Sequence, residues 1–568
     1  MKIDDSLRVP LLPALPSIAL VLRLAGYGRS WLPSPVVLGL LIALAHVIVR
    51  GPHTSRAAAR TFFLRHAFGI ALAGIVAMSL LVRMPGIGAD LGHTPLDIDE
   101  NRLAGSVKHF FDTGVLEHRT VEHYPGGVFW LFSAASFLSY VRTVTNGIEL
   151  PPDQIPIGNY VLAARIANVF VAGAIVWLAG LIGRRVSGRF AGLAAAILVA
   201  IVPLSIETTT VVRNDPGMLL TVMGAVYAAL VYHDTKRRPW LVAAGLLAGI
   251  ATGIKYSSMF AVVPPLIAAA VDGSASKRLA RALLVVLVFI AAIAVSNHFI
   301  WWDFPNFLQQ LKAQVALTAS SHWAATDNPA AFYMMVLARF GPGVVVLALA
   351  AAFAVYALCT RRVGLWIFVS FPLLYLWFMT QRPAQFPRWV FPLIPFVAIA
   401  GTGVLGAAAR AAARAPSPLV GPRTRIAFRA ATAAIVAAAM AQPAWSAVVS
   451  FSRRVTPPTH ALAEQWLESH AAPGSTVASD LHFLDFTESK LKVRRLDFET
   501  VMPAGAIDAL AGADWLVVPE PYFGNPMLRR LGFVQRFHAD RSFGGHMGYD
   551  YEIYAVPKIP QAHGESNQ

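Results

Sequence analysis

The chain is poor in cysteine and in charge. It contains one cysteine, Cys359, in 568 residues, which excludes an internal disulfide and any metal cluster built on cysteine thiolates. Only 14% of its residues are charged whereas 56% are hydrophobic, and the mean hydropathy is +0.56. A single soluble core of this length could not bury so much apolar surface. The composition therefore predicts an integral membrane protein.

Acidic residues are also scarce relative to basic ones. The 47 Lys and Arg residues outnumber the 31 Asp and Glu residues, which gives a formal net charge of +16. In a soluble protein this excess would suggest a nucleic-acid surface. Here the arginines fall mainly in short loops between apolar runs, so the basicity indicates membrane topology and contact with anionic lipids rather than a nucleic-acid partner. The first apolar run lacks a small-residue cleavage site and is interpreted as an anchor.

Apolar runs are long and frequent enough to predict an α-helical polytopic membrane protein. About thirteen runs, several of them short, approach the roughly 17 to 25 residues of a spanning helix. No internal repeat is visible, which disfavours transporter folds built from repeated halves. The predicted spans are residues 9–26, 34–50, 66–83, 158–182, 190–206, 214–232, 240–254, 256–272, 282–300, 333–358, 364–380, 389–408 and 427–449.

The loops between these runs alternate in character. Threading places Arg-rich loops such as "GRRVSGR" and "HDTKRRPW" on one side, which is predicted to be cytoplasmic together with the N-terminus. The opposite, trans side receives the long loop 84–157 and the tail. The tail contains an amphipathic helical pattern, "THALAEQWLESH", and short strand patterns, "STVASD", "DWLVVPE" and "YEIYAVP". We therefore expect three parts: an N-terminal extension with two spans (1–65), a transmembrane domain (66–450), and a small trans-side α/β domain with a disordered end (451–568).

Three carboxylates stand where a predicted span ends. The stretch "PLDIDENRLAGSVKHFFDTG" places Asp97, Asp99 and Glu100 within four positions. One interpretation is a helix N-cap, because the first turn of a helix favours a carboxylate. Charges at the exit of a span are costly and tend to be functional, so Asp99 and Glu100 are candidate catalytic residues. The same loop continues to His123 and Tyr124, which are candidate substrate-binding residues.

Other charged residues recur at the trans-side ends of predicted spans. For each basic residue alone, contact between its side chain and lipid headgroups is the simpler interpretation. Together they predict a cationic cluster that could bind a lipid phosphate. A carboxylate nearby could accept the proton of an attacking hydroxyl as a general base. The cluster comprises Arg165, Arg213, Asp215, Lys255 and Arg388, with Glu207 and Arg382 close by in the sequence.

Lys255 lies between two apolar runs that are each short for a span. The connection between them is therefore expected below the membrane surface, where an unpaired ammonium group would be costly. Two anions are possible partners. Asp215 would make a structural ion pair, and a lipid phosphate, which we favour, would be approached closely by the backbone at Gly253 and Ser257.

The order of several motifs resembles the GT-C membrane glycosyltransferases, most closely the branch that holds the protein O-mannosyltransferases and the aminoarabinose transferases of lipid A. The resemblance covers residues 66 to 557 and departs from these relatives at "YPGG", where they often have a double proline. The motifs are "DE", "YPGG", "ARIAN", "VRNDP", "GIATGIKYS", "SNHFIWWDFPN", "FPRWVFPLIPF" and "LAEQWLESHAAPGSTV".

The resemblance implies an enzyme of the bacterial inner membrane. It would transfer a sugar, with inversion, from a polyprenyl-phosphate carrier to a trans-side glycan, lipid or protein. Asp99 would correspond to the general base, with Glu100 beside it. Arg165, Lys255 and Arg388 would correspond to basic residues of the lipid-phosphate cavity, and Asp215 to a second acidic residue.

No obligatory metal is expected, because a lipid monophosphate lacks the pyrophosphate that usually requires a divalent ion. Asp97, Asp99 and Asp215 could nevertheless hold one through oxygen ligands. Two other classes of function remain open at this point. A transporter or lipid flippase would also need charged residues in its helices, and a scaffold would use its tail to bind partners.

Overall fold

The computed structural model of the chain describes most of its membrane-spanning part and much of its tail. Two compact units are distinguished, Met1–Ala77 and Met78–Gln568. The predicted spans at 9–26 and 34–50 and the predicted disordered end lie outside the described residues. These are 56–88, 98–114, 126–145, 154–297, 299–302, 304–319, 328–414, 422–455, 459–479, 491–496, 501, 507–519, 524–537 and 551–557.

Helices dominate the described residues, as the apolar runs predict. Short 3-10 helices at Tyr256–Val262 and Pro387–Leu393 each precede an α-helix. The α-helices are α1 (Arg56–Arg83), α2 (Ile98–Thr113), α3 (Gly127–Thr145), α4 (Ile157–Ser187), α5 (Arg189–Ile201), α6 (Pro203–Thr209), α7 (Asp215–Thr235), α8 (Arg238–Ile254), α9 (Val263–Ala269), α10 (Ala275–Ser296), α11 (Phe299–Trp302), α12 (Phe304–Ala319), α13 (Pro329–Arg339), α14 (Val344–Cys359), α15 (Val363–Thr380), α16 (Ile394–Arg414), α17 (Pro422–Val455) and α18 (Thr459–His470).

The helices confirm a multi-pass membrane protein. Six helical segments within the described residues are long and apolar enough to cross a bilayer, or seven if the bent pair α5–α6 is counted as one span. Four shorter apolar helices accompany them, among them α8 and α14. The predicted number of thirteen spans stays a prediction, because several of its runs form shorter or broken helices.

Two of the predicted spans are interrupted by proline and glycine. The run 190–206 divides at Val202 into α5 and α6, which meet at 60°, because Pro203 cannot donate the hydrogen bond that would continue α5. The run 333–358 divides into α13 and α14. Between them Gly343 adopts φ 94°, a conformation that favours glycine.

The region 84–157, which is predicted to lie on the trans side, contains two helices. α2 covers the stretch "DENRLAGSVKHFF", which has the pattern of an interfacial helix, and the part of α3 at Gly127–Tyr140 is apolar. The run 256–272 begins as the 3-10 helix Tyr256–Val262 rather than as an α-helix. Lys255, between this helix and α8, has extended backbone angles of φ −154° and ψ 120°. The chain therefore has a break at Lys255, as its short flanking runs predicted.

The core of the bundle lies around α4, α7 and the segment Pro387–Ala411, which contains most of α16. The apolar windows of these segments are 67%, 72% and 83% buried, whereas that of α10 is only 11% buried. Along α10, Leu279, Leu283 and Leu287 are exposed, as expected for side chains that contact lipid tails. At the end of α14, Cys359 is also exposed.

The tail contains a five-stranded sheet in the order β2-β1-β3-β5-β4. β1 pairs in parallel with β2 and β3, whereas β5 pairs antiparallel with β3 and β4. The small α/β region is therefore confirmed, but β2 and β4 were missed because "KVRR" and "GFVQRF" have little apolar alternation. The strands are β1 (Thr476–Ser479), β2 (Lys492–Arg495), β3 (Trp515–Pro519), β4 (Gly532–Phe537) and β5 (Tyr551–Ala555).

Candidate functional site

Glu100 and Arg165 form a buried, two-point ion pair between α2 and α4. Nε and Nη2 of Arg165 donate to the two carboxylate oxygens at 2.8 and 2.7 Å, and both side chains are 0% exposed. The planar guanidinium group matches the carboxylate in shape as well as in charge. Nη1 of Arg165 also donates to the carbonyl of Ile87 at 3.0 Å. Each charge is thus compensated in place, and neither side chain has an exposed surface on which a substrate could bind.

The link 210–214 joins α6 to α7 and has an irregular, buried backbone. In a membrane protein such a backbone must find hydrogen-bond partners within the protein. The N–H of Val212 donates to Oε1 of Glu100 at 2.8 Å. Nδ2 of Asn168, on α4, donates to the carbonyls of Val211 at 2.8 Å and of Arg213 at 3.2 Å. The course of the link is therefore determined by side chains of α2 and α4.

Lys255 and Asp215 form a second ion pair, at the break between α8 and the 3-10 helix Tyr256–Val262. Nζ of Lys255 lies 2.7 Å from Oδ1 of Asp215, and the two side chains are 17% and 2% exposed. Arg388 and Arg213 also act on the Asp215 carboxylate as positive charges. Three of the predicted cations are thus gathered around one carboxylate, and the ion pair with Asp215, the alternative that the sequence favoured less, is present.

Two tyrosines hold the segment that carries Arg388. The hydroxyl of Tyr375, on α15, donates to the carbonyl of Trp389 at 3.0 Å, and the hydroxyl of Tyr333, on α13, donates to the carbonyl of Ala384 at 3.5 Å. Tyr375 is also within electrostatic range of Asp215. The segment between α15 and the 3-10 helix Pro387–Leu393 is therefore fixed beside the Lys255 ion pair. Arg382, in the same segment, stacks on the ring of Phe378 at 4.5 Å.

The glycines of "YPGG" allow α3 to approach this break. The N–H of Gly126 donates to Oδ1 of Asn297, at the end of α10, at 3.3 Å. Nδ2 of Asn297 donates in turn to the hydroxyl of Tyr256 at 3.1 Å. A Cβ atom on Gly127 would lie only 2.8 Å from the carbonyl oxygen of Gly253, two residues before Lys255. Three motifs that are far apart in the sequence therefore meet at the backbone around Lys255.

The structure does not describe every predicted site residue. Those outside the described residues are Asp97, His123 and Tyr124. Asp99 belongs to the first turn of α2, next to Glu100, but its side chain is not described. Within the described part of the chain, no group of three or more His, Cys, Asp or Glu side chains is placed to hold a metal ion.

The sequence reasoning missed two buried polar residues, Asn168 and Arg83. Arg83, at the end of α1, is 0% exposed. Its Nη1 atom donates to the carbonyl of Ala200 at 2.9 Å, and its Nε and Nη2 atoms donate to the hydroxyls of Thr209 and Ser205 at 2.8 and 3.0 Å. The guanidinium group thus joins both halves of the bent pair α5–α6. An arginine at the end of an apolar run near a proline was the available signal, but it also fits a contact with lipid headgroups.

Comparison with known proteins identifies the fold. A family model described as dolichyl-phosphate-mannose-protein mannosyltransferase matches residues 156–301, a stretch that includes Arg165, Asp215, Lys255 and Asn297. ArnT from Cupriavidus metallidurans, solved with bound undecaprenyl phosphate, is 14% identical with a TM-score of 0.50, over 86% of this chain and 98% of that chain. The chain has the GT-C glycosyltransferase fold. The resemblance seen in the motifs is thereby confirmed.

Two further GT-C structures come from Archaeoglobus fulgidus. The oligosaccharyltransferase in its apo form is 13% identical with a TM-score of 0.51, over 81% of this chain and 70% of that chain. The oligosaccharyltransferase AglB, in complex with an inhibitory peptide and a dolichol-phosphate, is 12% identical with a TM-score of 0.50, over 88% of this chain and 75% of that chain. A search of curated protein sequences finds no match. At these identities the structural comparisons show the fold alone.

Proposed function

We propose that this GT-C protein is an inverting glycosyltransferase that moves a sugar from a polyprenyl phosphate to an acceptor hydroxyl on the trans side of the bacterial inner membrane. The observation that carries the proposal is the partly buried Lys255–Asp215 ion pair, with Arg213 and Arg388 also acting on Asp215. Three cations therefore act on the same carboxylate at a break in the helices. Such a place suits the phosphate of a lipid carrier.

The ion pair does not prevent Lys255 from binding a phosphate. An ammonium group has three N–H donors, and Asp215 takes one of them at 2.7 Å. The Lys255 side chain is the more exposed member of the pair, so its remaining donors can be reached from outside the bundle. Asp215 thus holds the ammonium in position, and the donor phosphate completes its hydrogen bonds. ArnT and AglB, which share the fold, were solved with undecaprenyl phosphate and dolichol-phosphate respectively.

The proposed reaction uses Asp99 as the general base. The oxygen of the acceptor hydroxyl attacks the anomeric carbon, the bond between that carbon and the phosphate oxygen breaks, and the hydroxyl proton passes to the Asp99 carboxylate. The polyprenyl phosphate leaves with the bonding electron pair, and the configuration at the anomeric carbon inverts. Lys255, Arg213 and Arg388 stabilise the charge that develops on the leaving phosphate. Glu100, fixed by Arg165, holds the start of α2 and with it the backbone of Asp99.

No divalent metal is required in this proposal, because the three cations supply the positive charge. We place the N-terminus in the cytoplasm and the five-stranded sheet on the trans side, together with the acceptor. Polyprenyl phosphates, the acceptor and the bilayer are the partners.

A comparison of two carboxylate variants of α2 tests the mechanism. Asp99→Asn removes the proposed base. Asp112→Asn, thirteen positions later in the same helix, makes the same chemical change at a partly exposed side chain paired with Lys108. Both proteins are purified in lipid nanodiscs, and sugar transfer from a polyprenyl-phosphate donor is measured together with the melting temperature. We expect Asp99→Asn to lose transfer with an unchanged melting temperature, while Asp112→Asn keeps both. Transfer by Asp99→Asn at the wild-type rate would exclude the mechanism.

A further inference from the structure

Asn168 is a neutral amide in the buried interior of α4. Its side chain is 0% exposed, and an amide at such a depth costs free energy unless it is hydrogen-bonded. Nδ2 donates to two carbonyls of the link 210–214. Oδ1 has no hydrogen-bond partner among the described residues. The Asn168 amide is therefore oriented with its NH2 group, rather than its oxygen, towards the link. The two carbonyl oxygens on that side identify the nearer amide atom as the nitrogen.

Val212 lies between the two residues whose carbonyls accept from Asn168. Its own N–H donates to Glu100. On the far side, Nδ2 of Asn214 donates to the carbonyl of Ile254, next to Lys255, at 3.4 Å. The backbone of the link is therefore attached to α4 and to α2, and the side chain of Asn214 attaches it to the end of α8. A displacement of the link at 211–213 would move both Arg213 and Asp215.

We propose that Asn168 is a positioning residue for the donor-phosphate site. By holding the carbonyls of Val211 and Arg213, its amide fixes the backbone that presents Arg213 and Asp215 to Lys255. Asn168 does not touch the donor and acts through the link. This inference rests on the proposed function, because it assigns the cations to the phosphate of a lipid donor.

Two matched variants test the role of Asn168. Asn168→Leu keeps the approximate shape of the side chain and removes its donor. Thr402→Val removes another buried side-chain donor, since the Thr402 hydroxyl on α16 lies 2.7 Å from the carbonyl oxygen of Ala398 and 3.1 Å from that of Ala191 on α5. If Asn168→Leu does not fold, Asn168→Ala replaces it, because the smaller side chain leaves room for water to bind the two carbonyls.

Hydrogen–deuterium exchange of the peptides that contain residues 209–214 is the first measurement, and it does not depend on activity. We expect exchange in Asn168→Leu to be at least about 10-fold faster, because the link loses the two hydrogen bonds that hold its carbonyls and the Val212 N–H, which donates to Glu100, then opens more often. Exchange in Thr402→Val should match the wild type. Equal exchange in both variants would overturn the proposal.

Steady-state transfer is the second measurement. We expect the KM for the polyprenyl-phosphate donor to rise by about 10-fold in Asn168→Leu, because small displacements of binding groups weaken binding strongly, and the KM for the acceptor to stay unchanged. A loss of folded protein alone would lower the rate and leave both KM values unchanged, and at most this effect is expected for Thr402→Val. The same result in Asn168→Leu would also overturn the proposal. If the wild-type protein itself transfers no sugar, the proposed function fails, and the exchange measurement still decides whether Asn168 fixes the link.

Discussion

Nζ of Lys255 lies 2.7 Å from Oδ1 of Asp215, between the end of α8 and the start of α7. The two residues are 40 positions apart in the sequence, and their contact joins two neighbouring apolar helices at the same end. A buried ion pair contributes little net stability, but the loss of one partner leaves a charge without compensation.

Substitution of Lys255 is therefore expected to have two separable effects. Lys255→Ala should destabilise the protein by about 3 kcal/mol, because it removes the hydrogen-bonded cation from a carboxylate that is only 2% exposed. The double variant with Asp215→Asn should recover most of the melting temperature, since the second change removes the buried carboxylate that has lost its hydrogen-bonded cation. Binding of polyprenyl phosphate should be weakened in both. Unchanged binding in Lys255→Ala would remove Lys255 from the site.

The Glu100–Arg165 pair provides a second prediction, on stability. Arg165→Met should lower the free energy of unfolding by about 3 to 5 kcal/mol, because it strands the Glu100 carboxylate where both side chains are 0% exposed. Lys108→Met is the control, since it breaks an ion pair with Asp112 on the partly exposed side of α2, and such pairs contribute at most about 1 kcal/mol. Thermal unfolding of both variants measures the difference, and similar melting temperatures would contradict the prediction.

The close approach of α3 to the break at Lys255 predicts that Gly127 tolerates no side chain. In Gly127→Ala the new Cβ atom would lie 2.7 Å from Ile254 and 2.8 Å from the carbonyl oxygen of Gly253, so that α3 or the break must shift. We expect a lower melting temperature and weaker binding of polyprenyl phosphate.

Gly74→Ala is the matched control for Gly127→Ala. Gly74 lies inside α1, and a Cβ atom there would meet no described atom within 4 Å. Alanine in a helix interior is favoured over glycine by roughly 0.5 to 1 kcal/mol, so this variant should be at least as stable as the wild type. An equal loss of stability in both variants would show that the approach of α3 is not the cause.

Removal of divalent metals is predicted to leave transfer unchanged. Three positive charges, those of Lys255, Arg213 and Arg388, act on Asp215 and are proposed to compensate the charge of the donor phosphate. A lipid monophosphate also lacks the paired phosphates that usually bind Mg²⁺ together with carboxylates. The measurement is transfer before and after EDTA treatment, with and without added Mg²⁺ or Mn²⁺. Activity that disappears with EDTA and returns with metal would contradict the prediction.

The charged part of the site could be predicted from the sequence because ionisable residues are conspicuous at the ends of apolar runs. Asp215, Lys255 and Arg388 were found in this way and are indeed gathered at one end of the bundle. Whether Lys255 pairs with Asp215 could not be decided from the sequence, because it depends on how α7 packs against α8.

Asn168 and Arg83 escaped prediction for a different reason. A neutral amide within "NYVLAARIANVF" differs little from its apolar neighbours, and its role depends on the course of a backbone segment more than 40 positions away. Arg83 stands where a span ends, so that its sequence context also fits a lipid contact. The helix breaks have local signals in the sequence, because Pro203 and the glycines at 341 and 343 are residues that commonly interrupt helices. They were not predicted, because the runs around them are apolar throughout and have the length of a single span.

The exposed thiol of Cys359, the one cysteine of the sequence, is a natural labelling site for determining the membrane topology of the protein. It lies at the end of α14, next to the basic "TRRVG", which the distribution of arginines predicts to be cytoplasmic. A membrane-impermeant maleimide added to intact cells should therefore leave the protein unmodified, and should label it once the membrane is opened with detergent. The orientation of the protein can thus be read without introducing any mutation or tag.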